Sequence, residues 1–283
     1  MLSVALTHDV DRITKTYQYL TYPIKSLLKL DSKDFFYHVG SILKKNPYWC
    51  FPEIIRIERK YDVKSTFYFL NETIPFHLFD ISNWKLSLGR YRVHDKKVVD
   101  IIKYLDRNGW EIGLHGSYNS FKDSKLLLSE KKLLESIFGH KIIGIRQHYL
   151  NLEESTWKIQ KEAGFNYDTS LGYRNDIGYK DKKFLPFHPF GDDFTVFPLV
   201  VMDSCFMNSA KRKEKLSYLL DITEINNSIL VINWHQRSFN ENEFPEYKKA
   251  YCDIIEECIK RNAIFRTLGD YYYSRGYSGK KEN

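Results

Sequence analysis

The sequence has few cysteines, and the four it has, Cys50, Cys205, Cys252 and Cys258, are widely spaced with no C-x-x-C pair among them. That spacing argues against a disulfide framework and for free thiols. No apolar run approaches the roughly 18 residues of a membrane span. There is no fixed-period repeat of the solenoid kind and no low-complexity linker. Although the formal net charge is +7, its only dense run is Lys211-Arg212-Lys213-Glu214-Lys215, which reads as a solvated helix face. No basic stripe with stacking or base-reading groups is visible, so nucleic acid is not an expected partner. The first strand begins almost at once and leaves no room for a signal peptide, so the expectation is a cytoplasmic protein. The end, Ser278 to Asn283, reads as a frayed, disordered polar tail.

What is present is a chain of 283 residues, 43% hydrophobic and 28% charged, enough to bury one large core. The aromatic share of 16% is high and fits either an aromatic core or a groove for sugar rings. Short apolar runs alternate with helical spacing. Strands are expected at Leu2–Leu6, Val63–Leu70, Trp110–Leu114, Ile142–Ile145, Phe165–Asp168, Thr195–Met202, Ile229–Trp234 and Ala263–Leu268. Helices are expected at about 51–61, 96–108, 129–138, 153–163 and 245–261. Residues 12–47, basic and aromatic-rich with helical spacing at Leu20, Ile24, Leu27 and Leu28, read as an insertion after the first strand. The expected organisation is a single α/β domain over residues 1–277, a parallel (β/α) barrel rather than an open sheet.

The polar residues fall at strand ends, where parallel folds place their chemistry. Asp9 and Asp11 follow the first strand, and residues two apart in extended chain point the same way. Taken alone, the pair reads equally well as a turn cap or as a site. His115, Arg146, His148, Asp168, Asp203 and His235 also follow strand-like runs, and a barrel would gather them at one rim. Asp11 with histidines suits zinc or a similar divalent ion, which acidifies water and polarises a carbonyl. Asp9 is the candidate base, Arg146 its orienting partner, and His235 the acid for a leaving amine. This inventory describes metal-assisted hydrolysis of an amide or ester.

Thr7-His8-Asp9-Val10-Asp11, Ser65 to Leu70, Glu111-Ile112-Gly113-Leu114-His115-Gly116-Ser117-Tyr118, Gly144-Ile145-Arg146-Gln147-His148-Tyr149 and Leu230 to His235 occur in that order. The set resembles the motifs of NodB-type polysaccharide deacetylases, carbohydrate esterase family 4, in the branch whose first motif reads T-x-D-x-D. The resemblance implies a distorted NodB-like barrel of about seven parallel strands. It also implies Asp9 as base, Asp11 and His115 as metal ligands, Arg146 as the residue orienting the base, the Tyr149 backbone N–H in an oxyanion hole, and His235 as acid.

Two positions depart from the family pattern. Where the second motif carries another histidine, four residues after His115, this sequence has Asn119; where the third carries proline, it has His148. The expected metal set is therefore Asp11, His115 and His148, with Asn119 as the competing third ligand and otherwise a substrate contact. Asp203 is the expected partner of His235, and Asp168 the alternative. Ser117, Arg174 and Trp234 are further candidates for contacting substrate. The expected activity is removal of an N-acetyl (or O-acetyl) group from a carbohydrate, a surface-polysaccharide precursor, with zinc first and cobalt, nickel or manganese as alternatives. Two other readings stand beside it: a C–N hydrolase on a non-sugar amide, and an inactive carbohydrate-binding barrel with Asn119 as its lesion.

Overall fold

The computed structural model describes residues 1–43 and 46–274, so the expected tail at 278–283 lies outside the described residues. In chain order the elements are β1 (Ser3–Val10), α1 (Gln18–Leu28), α2 (Ser32–Gly40), α3 (Phe51–Lys60), β2 (Ser65–Leu70), α4 (Ile81–Ser87), α5 (Lys96–Arg107), β3 (Glu111–Gly116), α6 (Ser124–Phe138) and β4 (Gly144–Gln147). They continue with α7 (Thr156–Glu162), β5 (Tyr167–Asp168), β6 (Thr195–Val196), β7 (Leu199–Met202), α8 (Asp203–Asn208), α9 (Arg212–Ile225), β8 (Leu230–Asn233), α10 (Tyr247–Lys260), β9 (Ile264–Phe265) and α11 (Leu268–Ser274).

Eight strands follow one another in the order β6-β5-β4-β3-β2-β1-β8-β7, every named pairing is parallel, and β9 adds to β1. The expected single strand over 195–202 is two strands. Pro198, which has no N–H to give a ladder, interrupts it. Those two strands stand at opposite ends of the order, so Phe197 and Pro198 carry the chain across the seam of a distorted barrel. The last expected strand shrinks to Ile264–Phe265, because the chain turns into α11 from Leu268.

Period-two alternation divides the core in two. One set of side chains, among them Ala5, Tyr68, Tyr167, Phe197 and Val231, fills the barrel interior with Leu268, Tyr271 and Tyr272 of α11. The other set, including Leu6, Phe67, Leu114 and Ile232, packs outward on helical residues such as Ile54, Ile102, Leu134, Leu220 and Ile255. The interior rings need room that only glycine leaves. A Cβ on Gly113 would overlap the Tyr68 ring, and one on Gly144 the Tyr167 ring. All four cysteines are free.

Candidate active site

At the ends of β1, β3, β4, β7 and β8 the interior alternation delivers polar groups to one cleft of about 400 Å³. Its lining includes Asp9, Asp11, His115, His148, Tyr149, Arg174 and His235. β1 runs four residues further than expected, to Val10, so Asp9 is inside the strand and Asp11 immediately follows it. Thr7 and Asp9 lie on the interior parity of β1, and the register sets Thr7 beside Asn233 of β8 and His115 of β3 beside Arg146 of β4.

Asp9 is held on both oxygens. Arg146 Nη1 donates to Oδ1 at 3.0 Å, and Asn233 Nδ2 donates to Oδ2 at 2.7 Å. Arg146 is itself fully buried and fixed, donating to Thr7 Oγ1 (2.7 Å) and to the Thr169 carbonyl (3.1 Å) and lying 4.7 Å from the Tyr68 ring centroid. Burial pushes the Asp9 carboxyl up, but the charges of Arg146, His115 and His235 outweigh it and hold the group below its ordinary range. Asp9 therefore stays ionised and oriented, as a proton acceptor requires.

Across the cleft, Asp203 opens α8 and grips His235. Its Oδ1 accepts from His235 Nδ1 at 2.9 Å, and its Oδ2 accepts from the His235 backbone N–H (2.9 Å) and Ser238 Oγ (2.7 Å). Burial pulls the His235 imidazole down, yet Asp203, with Asp11 and Asp9, lifts it to about 9. The other ring nitrogen, Nε2, stands 3.8 Å from Asp11 Oδ2. A protonated imidazole in that place is a proton donor at neutral pH.

Between these two pairs lie Asp11, His115 and His148, whose ligand atoms all fall within 4.8 Å of one another. His115 Nδ1 donates to the Arg146 carbonyl at 2.8 Å, which turns Nε2 into the cleft, 3.3 Å from Asp11 Oδ1. His148 Nε2 is 3.7 Å from the same oxygen, which is buried with no hydrogen-bond partner among the described residues. Burial presses the His148 imidazole down to about 4, so it is neutral at physiological pH. A buried carboxylate oxygen with no hydrogen-bond donor among the described residues, faced by the imidazoles of His115 and His148, is a donor set suited to a divalent cation. One interior strand end and the turn after β4 thus supply both histidines, while Asn119 is exposed and lines no part of the cleft.

Three of the expected substrate contacts are placed elsewhere. Asn119 falls away because the chain leaves the sheet after Gly116 and turns, with Ser120 N–H bonding the Ser117 carbonyl. Ser117 is buried off the cleft, its backbone N–H donated to Glu130 at 3.2 Å. Trp234 has the parity opposite to Asn233 and His235 and packs outward on Phe206 and Tyr251. Asp168 is corrected in the same way: it faces α7, accepting from Trp157 (3.2 Å) and Gln160 (2.9 Å), and has no part in holding His235. Arg174 does reach the cleft wall, where it donates to Asn151 Oδ1 at 2.9 Å. Tyr149 also lines it, and its backbone is left-handed (φ 58°), as is that of Leu150 (φ 53°), an unusual pair for residues with side chains.

Four contributors escaped the sequence reading. Asn233 lies two residues before His235, and Arg237 two after it, 3.9 Å from Asp11 Oδ2. Arg12 lines the cleft beside Asp11. Glu72, two past the end of β2, accepts from the Tyr118 N–H at 2.9 Å and stands 3.8 Å from His148 Nδ1, which has no hydrogen-bond partner among the described residues. The strand-end rule applied to β2 points to Glu72, and the period-two rule applied to β8 points to Asn233.

The fold is that of the NodB-type polysaccharide deacetylases, a parallel-strand distorted barrel with helices around it. A protein of Mycobacterium smegmatis assigned as a polysaccharide deacetylase superposes over 100% of this chain and 93% of its own, with TM-score 0.61 and 17% identity. The Puue allantoinase matches with TM-score 0.60 and 14% identity over 99% of this chain and 92% of its own. A protein of Pseudomonas aeruginosa PAO1 assigned as a polysaccharide deacetylase matches with TM-score 0.59 and 12% identity, covering 99% and 93%. No protein-family model and no curated protein matches the sequence.

Proposed function

We propose that the protein is a divalent-metal-dependent deacetylase of the NodB type, removing an N-acetyl group from a carbohydrate. The observation that carries this reading is the arrangement of two oppositely prepared proton-transfer groups, Asp9 with Arg146 and His235 with Asp203, flanking Asp11, His115 and His148. Those three residues would hold the ion, which when bound polarises the scissile carbonyl and acidifies water. Asp9 takes the proton of the attacking water, and Arg146 and Asn233 keep its carboxylate aimed while it does so. The left-handed turn at Tyr149 presents its backbone N–H to the oxygen on which charge develops. His235 gives its proton to the departing amine.

The cleft wall supports a narrower statement about substrate. Arg12, Arg174 and Arg237 line it, and among the described residues none of these guanidinium groups has a carboxylate nearer than the 3.9 Å between Arg237 and Asp11. A positively charged wall suits an acylated sugar that bears phosphate or carboxylate, as in a surface-polysaccharide precursor handled in the cytoplasm. Zinc is the expected ion, with cobalt, nickel and manganese as alternatives.

The likeness to an allantoinase supports a second reading, hydrolysis of a C–N bond in a non-sugar amide by the same residues. The two separate in one assay. Zinc- or cobalt-loaded protein is offered N-acetylhexosamine conjugates, with and without phosphate, and in parallel allantoin. Acetate release from the sugars that is lost in Asp9→Asn supports the deacetylase. Ring opening of allantoin without acetate release supports the amide hydrolase. No turnover of either, with the ion bound, favours a binding protein.

A further inference from the structure

Between β1 and α3 the chain rises from the cleft rim as a helical hairpin, α1 and α2, whose amphipathicity is inverted. In α1 the apolar side chains Leu20, Ile24, Leu27 and Leu28 form one stripe at helical spacing. An ordinary surface helix would turn that stripe to the core. Here the buried positions of α1 are Gln18, Pro23 and Ser26, and the one buried position of α2 is His38. The interior of the hairpin is correspondingly polar. Lys15 Nζ is enclosed there, 2.8 Å from Glu243 Oε1 and 2.7 Å from His38 Nδ1, with the rings of Tyr19, Tyr22 and Tyr37 around it. The stripe faces outward: Leu28 is 81% exposed, and Leu30 at the hairpin tip is 93% exposed. The loop after the neighbouring strand β2 presents Phe79 in the same way, at 98%. Exposed apolar residues gathered on adjacent rim segments mark a contact surface rather than the scatter normal for a soluble protein.

Charge indicates which surface. Lys25, Lys29 and Lys33 are exposed on the same hairpin, and Lys44-Lys45 follow it in sequence. Of its two acids, Asp31 caps α2 by accepting from the Asp34 N–H, and Asp34 is engaged by His38 at 3.1 Å. An apolar face flanked by lysines, on helices of 11 and 9 residues, is the composition of an element that lies in a bilayer interface. No helix among the described residues is long and apolar enough to cross one. We infer that the α1–α2 hairpin docks the protein on an anionic lipid bilayer, with its leucine and isoleucine stripe in the interface and its lysines at the headgroups. The hairpin is tied to the rim through His38, 3.8 Å from Glu243, and through Tyr37, whose hydroxyl accepts from Asn240 at 3.1 Å, so docking brings the cleft close to the membrane. That a lipid-anchored acylated sugar then reaches the cleft rests on the deacetylase reading; the docking itself does not.

The test is flotation of the full chain with vesicles of phosphatidylcholine alone and of phosphatidylcholine with phosphatidylglycerol, alongside sedimentation velocity without lipid. Wild type is expected to float with the anionic vesicles and to release at high salt. Leu27→Ser/Leu28→Ser should weaken partitioning by roughly ten-fold or more per leucine, and Lys25→Glu/Lys29→Glu by roughly five-fold per lysine on anionic vesicles only. Both pairs are exposed, and unchanged circular dichroism checks that the fold is intact. Failure to float at either composition overturns the inference, as does flotation that neither pair of substitutions weakens. A concentration-dependent dimer that Leu27→Ser/Leu28→Ser dissolves, with no flotation, also overturns it and assigns the face to a second copy. Because no arm reads turnover, a wrong substrate leaves the result unaffected.

Discussion

Asp9 and His235 occupy one cleft and are held in opposite protonation states at neutral pH by buried groups of opposite charge, chiefly Arg146 for the carboxyl and Asp203 for the imidazole. Arg146 keeps the carboxyl below its ordinary range, and Asp203 lifts the imidazole to about 9. If Asp9 acts as base and His235 as acid, as proposed, the base is lost only in acid and the acid only above about 9, where His235 gives up its proton. kcat/KM should be flat through neutrality and fall above pH 9. In Asp203→Asn the lost negative charge returns His235 toward its ordinary value of 6.5, so the alkaline limb moves to lower pH; a limb that does not move would show that Asp203 does not set it. Asp9→Asn removes the proton acceptor while keeping the Arg146 and Asn233 geometry approachable, and should cut kcat by about 10²- to 10⁴-fold, read as acetate release at saturating substrate. Glu72 stands behind His148 as an outer partner. Glu72→Gln should weaken divalent-ion binding by about 10-fold, measured by competition with a chromogenic chelator, whereas unchanged affinity would make Glu72 a purely local brace for Tyr118. At this scale Asp9, Asp11, His115, Arg146, His148 and His235 could be picked out of the sequence because each ends an apolar run. Arg12 and Arg237 could not, because each sits in a polar stretch where a solvated arginine reads the same.

Strand parity explains most of the differences between expectation and structure at the level of elements. Asp168 belongs to the right strand and Trp234 directly follows one, but both face the wrong way: the chain leaving β8 turns Asn233 and His235 inward and Trp234 outward, and β5 turns Tyr167 inward and Asp168 toward α7. Both assignments were available from period two once one inward residue on each strand was known. The boundary between β6 and β7 was signalled by Pro198, and the shortened β9 was not signalled at all, since Leu268 is apolar in either setting. Parity also makes a stability prediction. Gly113 faces inward beside the ring of Tyr68, which is buried and stacked on Arg146. Gly113→Ala should destabilise the fold by about 1–3 kcal/mol through overpacking, seen as a lower midpoint in chemical denaturation; an unchanged midpoint would mean that the ring moves freely. The helical spacing of Leu20, Ile24, Leu27 and Leu28 predicted a helix correctly, but periodicity carries no information about which way a stripe faces. Only the three-dimensional placement of Lys15, His38 and Glu243 beneath the hairpin shows that its polar side is the buried one.

For the molecule as a whole, alternation of strands and helices was enough to indicate a parallel barrel, and the order of motifs was enough to gather the site at one rim. What composition could not show is the seam. The barrel is interrupted between β6 and β7, and the cleft opens among the loops that follow β1, β4, β5, β7 and β8. On the proposed reading, His148 in the turn after β4 completes a cation site with Asp11 and His115, and Asn119 has no part in it. The most direct measurement is elemental analysis of protein equilibrated with a buffered divalent ion, comparing wild type, His148→Ala and Asn119→Ala. The expected result is one ion per wild-type chain, the same for Asn119→Ala, and loss of the ion from His148→Ala at concentrations that saturate the wild type. Retention by His148→Ala, or loss from Asn119→Ala, would contradict it.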